Sequence, residues 1–193
     1  MQTNDCIMQR RSVRSYTEQT IPEETLKRIL DAALMAPSAV NLQPWYFVAV
    51  QSPAAMESLL QVMAEVSARQ EPFLKERFAA HLEVAEETSR FIRKLGNAPV
   101  CVLAFERKPD YQDHLHHGIL LSIAAAIENM LLAATDLGVS SCWLTAPQEA
   151  GLGEVLRQRF APDKGPLVSV IALGYGKTVP SAPRRKDGCY TIL

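Results

Sequence analysis

Apolar side chains recur at Leu26, Ile29, Leu30, Ala33 and Leu34, the spacing of one helical face, just after Thr20-Ile21-Pro22-Glu23, where a hydroxyl, a proline and acids signal a helix start. The pattern predicts a helix ending near Ala36-Pro37. The polar, proline-bounded stretch from Ser38 to Pro44 reads as a loop, and WYFVAV at Trp45–Val50, rich in aromatic and β-branched residues, as a strand. From Pro53 to Arg93 the patterning is helical; Pro72 is expected to break or kink the run, and two helices are expected there. VCVLAF at Val100–Phe105 is a continuous apolar run, the signature of a strand covered on both faces. After a polar stretch from Lys108 to His117, Gly118 to Asp136 forms the most apolar helix, whose alanines permit close packing. Val139–Leu144 reads as a third strand, Gln148–Phe160 as one amphipathic helix and Leu167–Leu173 as a fourth strand. The tail from Val179 to Leu193 is rich in proline and arginine and is expected to reach another surface before a short terminal strand. No repeat and no break in composition divides the chain, so residues 1–193 are expected to form one domain.

Composition narrows what such a domain does. With 20 basic and 21 acidic residues, the chain has no broad attraction for nucleic acid or anionic lipid, and a small-molecule site is favoured. Met1–Arg11 lacks the apolar core of a signal peptide, so a cytoplasmic location is expected. Cys6, Cys101, Cys142 and Cys189 are scattered without a C-x-x-C pair, which argues for reduced thiols rather than a zinc site or disulfides. Ser122, Glu128 and Asn129 interrupt the longest apolar stretch, and we expect a buried helix there rather than a membrane span.

Four segments carry chemistry. RRSVRSY at Arg10–Tyr16 groups three guanidinium groups with serine hydroxyls, and an arginine fork binds phosphate oxygens with paired hydrogen bonds. APSAVNLQPW at Ala36–Trp45 offers hydroxyl and amide groups on a backbone restricted by prolines, which suits the edge of a planar heterocycle. It equally suits an ordinary helix-to-strand connection with Trp45 in the core. VSSCWLTAP at Val139–Pro147 brings backbone N–H groups to a strand end, and PRRK at Pro183–Lys186 supplies further phosphate-binding charge. The cluster His114, His116 and His117 invites a metal reading, with Asp110 and Asp113 as its only acidic neighbours; a helix-entry or solvent-facing role is the plainer expectation. Cys142 is expected in the core.

The order of these segments, with ALGYG before the last, resembles the nitroreductase family over nearly the whole chain. The resemblance implies an α+β fold, a three-layer α/β/α sandwich with a mixed central sheet and a C-terminal extension reaching a partner subunit. It implies FMN as cofactor, NAD(P)H as co-substrate and a homodimer with shared FMN sites. By similarity, Arg10, Arg11 and Ser12 contact the phosphate and ribityl chain, and Arg14 places a cation near the flavin pyrimidine. Pro37, Ser38, Ala39, Asn41 and Gln43 come from the partner. Leu144, Thr145 and Ala146 match the segment that donates toward flavin N5, while Arg184 and Arg185 match a C-terminal phosphate contact. The implied chemistry is a ping-pong transfer of hydride from NAD(P)H to a nitroaromatic, quinone or similar small acceptor. No protein acid, base or nucleophile is required, and no metal is implied. Lys94 lies near the flavin in some members, and the segment between the first two strands carries no readable motif. Alternatives are a flavin-storing or flavin-sensing protein without turnover, a flavin-fragmenting relative, and a non-flavin domain whose arginines hold a nucleotide.

Overall fold

The computed structural model describes residues 1–193, the side chain of Asp113 excepted. In chain order its elements are helices α1 (Thr3–Gln9) and α2 (Glu23–Leu34), strand β1 (Trp45–Val50), helices α3 (Pro53–Arg77) and α4 (Leu82–Lys94), and strand β2 (Val100–Glu106). Helix α5 (His116–Asp136), strand β3 (Ser140–Leu144), helices α6 (Ala146–Glu149) and α7 (Gly153–Phe160), and strand β4 (Leu167–Gly174) follow. The strands form one sheet in the order β1-β2-β4-β3.

Alternation along β2 sorts the core into two layers. Cys101, Leu103 and Phe105 pack with Leu59 and Val66 of α3, Phe91 of α4 and Leu156 of α7. Val100, Val102 and Ala104 pack with Leu26 and Ile29 of α2 and with Ile123, Ile127 and Met130 of α5. Each large apolar side chain buried this way contributes about 1.5–3 kcal/mol, so a strand apolar at every position is best placed between two helical layers. The α+β three-layer arrangement is the one expected. The sheet is not mixed, however: all three strand pairs are antiparallel, and the parallel link is an isolated bridge between Ser12 and Ser141.

Several expectations about individual elements are corrected. The expected two helices between Pro53 and Arg93 are α3 and α4, but Pro72 lies inside α3 and does not end it. A buried stripe of Leu59, Val62, Met63, Val66, Gln70 and Leu74 runs through that position, and its packing outweighs the roughly 3 kcal/mol disfavouring an interior proline. The chain turns instead between Phe78 and His81. The expected Gln148–Phe160 helix is two helices, because Gly151 adopts a left-handed φ of 68° between them. Pro22 occupies the N-cap of α2, where no side chain caps the helix, so Thr20 does not serve. The polar opening contains α1, fixed by buried Cys6. Residues beyond Gly176 are exposed and form no strand. By length and composition α5 is apolar enough to cross a membrane, contrary to expectation, yet Ile119, Ile123, Ile127 and Met130 bury it in the sandwich.

The register defines two ends of the sheet. Val50, Val100, Ser140 and Gly174 lie at one, and Trp45, Glu106, Leu144 and Leu167 at the other.

Candidate functional site

The segment Arg10–Tyr16 forms no strand but is tied to the Gly174 end by backbone bonds. Val13 N–H donates to the Ser141 carbonyl at 2.9 Å, Tyr16 N–H to the Gly96 carbonyl at 3.0 Å and Lys177 N–H to the Ser15 carbonyl at 2.9 Å. Gly96 has a left-handed φ of 64°, and a Cβ there would collide with the Arg14 carbonyl. Val13 and Tyr16 are each 1% exposed. The Tyr16 hydroxyl donates to the Val13 carbonyl at 2.6 Å and lies 3.3 Å from the Ala172 carbonyl. Burial pushes its pKa far up, keeping it a donor. With Val13 and Tyr16 inward, Ser12, Arg14 and Ser15 line a groove of about 710 Å³.

Arg10 Nε lies 3.3 Å from Glu128 Oε1 on α5. Arg11 Nη1 donates to the Met8 and Arg10 carbonyls at 2.7 Å each, closing the end of α1. The Arg14 guanidinium lies 5.9 Å from the centroid of the Phe91 ring. Buried Cys142 is close enough to Arg14 and Arg10 for their charge to lower its thiol pKa, but burial is the larger effect and raises it overall. That is a core cysteine rather than an activated thiolate.

The loop before β1 is held by its own polar groups. Ser38 Oγ accepts from Gln43 N–H and Gln43 Nε2 donates to Asn41 Oδ1, both at 3.0 Å. Ala39 N–H donates at 3.0 Å to Ser122 Oγ of α5, which donates to the Gly118 carbonyl at 2.6 Å. These bonds hold Val40, Asn41 and Gln43 at left-handed φ values of 43°, 56° and 46°, a conformation that costs energy in non-glycine residues and concentrates at functional loops. Pro37, Asn41 and Gln43 are exposed.

Within one chain the two segments lie apart. The arginines sit beside β3 at the Gly174 end, and the loop enters β1, the opposite edge strand, at the Trp45 end. They meet α5 at Glu128 and Ser122, positions about 9 Å apart along the helix axis and about 120° around it. Leu144 and Thr145 close β3 at the Trp45 end, where Thr145 Oγ1 donates to Glu149 Oε1 at 2.8 Å and Ala146 opens α6. Arg184 and Arg185 are exposed on the tail. Ser12 and Arg14 therefore share one groove, while the side chains of neighbouring Arg10 and Arg11 are held by Glu128 and by backbone carbonyls; Pro37, Ser38, Ala39, Asn41, Gln43, Arg184 and Arg185 are not joined to them.

Lys94, named from the sequence, lines the same groove as Arg14, and the structure adds the rest of a wall that motif reading missed: Phe78, Val84, Thr88 and Phe91, with Thr178 at its border. The signal was present as an amphipathic face, with Val84, Thr88 and Phe91 at helical spacing. His114, His116 and His117 lie at the entry to α5, and His116 Nδ1 stands 3.9 Å from Glu106 Oε1. Among the described residues no three His, Cys, Asp or Glu side chains converge as a metal site; the Asp113 part of that reading lies outside them.

Residues 7–175 match the model of the Nitroreductase family. A protein of Archaeoglobus fulgidus, named by inference NADH dehydrogenase/NAD(P)H nitroreductase, is 30% identical over 172 residues, covering 89% of this chain and 83% of that protein. A BluB-like flavoprotein from Clostridium difficile 630 superposes with a TM-score of 0.75 at 28% identity, covering 100% of both chains. A nitroreductase from Bacteroides fragilis NCTC 9343, crystallised with bound FMN, has a TM-score of 0.74 at 26% identity over 100% of this chain and 99% of its own.

Proposed function

The chain belongs to the nitroreductase family, and from that premise we propose that it is an FMN-dependent oxidoreductase. It passes hydride from NAD(P)H to a small organic acceptor at a site shared by two copies of itself. One observation carries the shared site: the basic segment and the polar loop occupy opposite edges and opposite ends of one sheet. A second copy that supplied one of them would bring both onto a single ligand. Supporting this, Ile7, Met8, Leu34, Met35, Val40 and Leu121 are exposed apolar residues on α1, α2, the loop and α5, elements that pack on one another. Such a surface is characteristic of an interface.

The residues present fit a phosphorylated flavin. The groove lies within the size range of small-molecule pockets, Phe78 and Phe91 offer apolar surface, and Arg14 and Lys94 offset negative charge. Arg10, Arg11, Ser12 and Arg14 would hold the group from one copy, with Pro37, Ser38, Ala39, Asn41 and Gln43 from the other. Leu144 and Thr145 stand at the strand end, and Arg184 and Arg185 would complete the phosphate contact. When bound, FMN would supply two-electron hydride chemistry between NAD(P)H and an acceptor. Arg14 keeps a positive charge over the groove and stabilises negative charge developing there. The four cysteines are free, as suits a reducing, cytoplasmic setting.

The test is an absorbance spectrum of purified protein, light scattering for the dimer, and anaerobic titration with each nicotinamide nucleotide. The reading requires a flavin spectrum that bleaches with NADH or NADPH and recovers on adding an acceptor. Flavin binding without bleaching would make the chain a storage or sensing protein. Protein that stays colourless after FMN is added would remove the flavin altogether.

A further inference from the structure

Two grooves meet along α4. One lies beside Arg14; the other, of about 420 Å³, opens between α3 and α4, with Glu71, Lys75, Glu86, Arg90, Arg93 and Lys94 among its lining residues. Arg90 and Lys94 line both grooves, so the second continues the first. In the second groove four cations stand against two carboxylates. One carboxylate, Glu71, is already paired with Lys75 at 2.7 Å. The other, Glu86, precedes Arg90 by four residues, the spacing that favours a helical ion pair. Yet among the described residues Arg90, Arg93 and Lys94 have no carboxylate within ion-pair distance, whereas Arg69 on α3 pairs with Glu65. A cation in the last turn of α4 also complements the helix dipole. Lys75 reaches the same groove from the last turn of α3, where it is paired with Glu71, so the cations without a carboxylate partner there, among the described residues, are Arg90, Arg93 and Lys94 of α4.

We propose that this second groove binds the phosphate groups of the nicotinamide co-substrate, Arg93 receiving the 2′-phosphate, so that NADPH is preferred to NADH. The inference rests on the reading above that a nicotinamide nucleotide reacts beside Arg14. From that point a dinucleotide must extend its pyrophosphate and second nucleoside outward, and the groove along α4 supplies a cationic course for them. A phosphomonoester carries about −1.5 to −2 charge at neutral pH and offers the oxygens that an arginine fork binds in pairs. The two excess cations match that charge.

Arg93 lines the second groove and not the first, so its variants separate the two. Calorimetric titration of the flavin-loaded protein with adenosine 2′,5′-bisphosphate and with 5′-AMP is expected to show the bisphosphate binding about tenfold more tightly, the worth of one charged hydrogen-bonded contact. Arg93→Gln is expected to abolish that difference, Arg93→Lys to retain part of it, and neither to change the flavin spectrum. In steady state, Arg93→Gln should raise KM for NADPH about tenfold while leaving kcat and the NADH parameters alone. Equal binding of the two nucleotides, or equal losses with both coenzymes, overturns the proposal. Displacement of the bisphosphate by inorganic phosphate at comparable concentration would also overturn it, by making the groove a general anion site. Failure of the underlying flavoenzyme reading shows elsewhere, as protein that takes up no FMN.

Discussion

Tyr16→Phe tests how the basic segment is held. The substitution keeps the ring, which is fixed by its packing against Gly174: a Cβ there would come within 2.8 Å of Tyr16 Cδ1. It removes the hydroxyl that donates to the Val13 carbonyl at 2.6 Å and stands 3.3 Å from the Ala172 carbonyl. Both acceptors would remain buried, and leaving a buried polar group unpaired costs about 1–3 kcal/mol. Each kcal/mol shifts Tm by about 2–4 °C in a chain of this size, so a loss of about 4–8 °C is expected for a penalty of about 2 kcal/mol. Because Ser12 and Arg14 flank the anchor, FMN affinity should fall as well, by about fivefold for each kcal/mol of ordering lost on binding. Urea unfolding of the apoprotein measures the first effect and fluorescence titration with FMN the second. A stability change within about 0.5 kcal/mol, the range of an ordinary surface substitution, together with unchanged FMN affinity, would refute the reasoning.

Cys142→Ala should leave turnover with NADPH and its pH profile within about threefold of wild type, because burial raises the thiol pKa and leaves little thiolate to react. Iodoacetamide should modify Cys142 slowly in the native protein and quickly once it is unfolded; loss of turnover in the alanine variant would contradict this. Glu106 is 5% exposed and burial raises its pKa, His116 opposing only in part. An acid whose folded pKa is raised stabilises the fold least once pH exceeds that value and regains stability as pH falls through it. Glu106→Gln should therefore raise Tm at pH 7, with the difference vanishing near pH 4; a gain that persists or grows in acid would show the opposite sign.

The strands were legible because each leaves a local trace: VCVLAF is apolar throughout and buried throughout, and WYFVAV is aromatic and β-branched. Pro72 misled because its local cost is plain in the sequence, whereas the burial of Leu74 and Gln70 that offsets it is a tertiary effect. Gly151 is a helix breaker whose effect is masked by the helical pattern on either side of it. The arginine and Ser-Asn-Gln segments were visible as residue types. Their separation on the sheet was not, since it depends on strand order and register. Apart from Lys94, the groove wall on α4 is an amphipathic face rather than a motif and so leaves no short signature, and the exposed tail finds no strand partner within its own chain.

Mixing two inactive variants tests the shared site most directly. Arg10→Ala damages the basic segment, and Asn41→Trp obstructs the loop that a second copy is proposed to supply. After unfolding and refolding together in equal amounts, half the dimers should pair one variant with the other, and each such dimer holds one undamaged site. FMN occupancy and NAD(P)H oxidation should then return to about a quarter of the wild-type value, as an isologous dimer with two shared sites requires. Recovery of neither, although mixed dimers form, would contradict a flavin held between two copies of the chain.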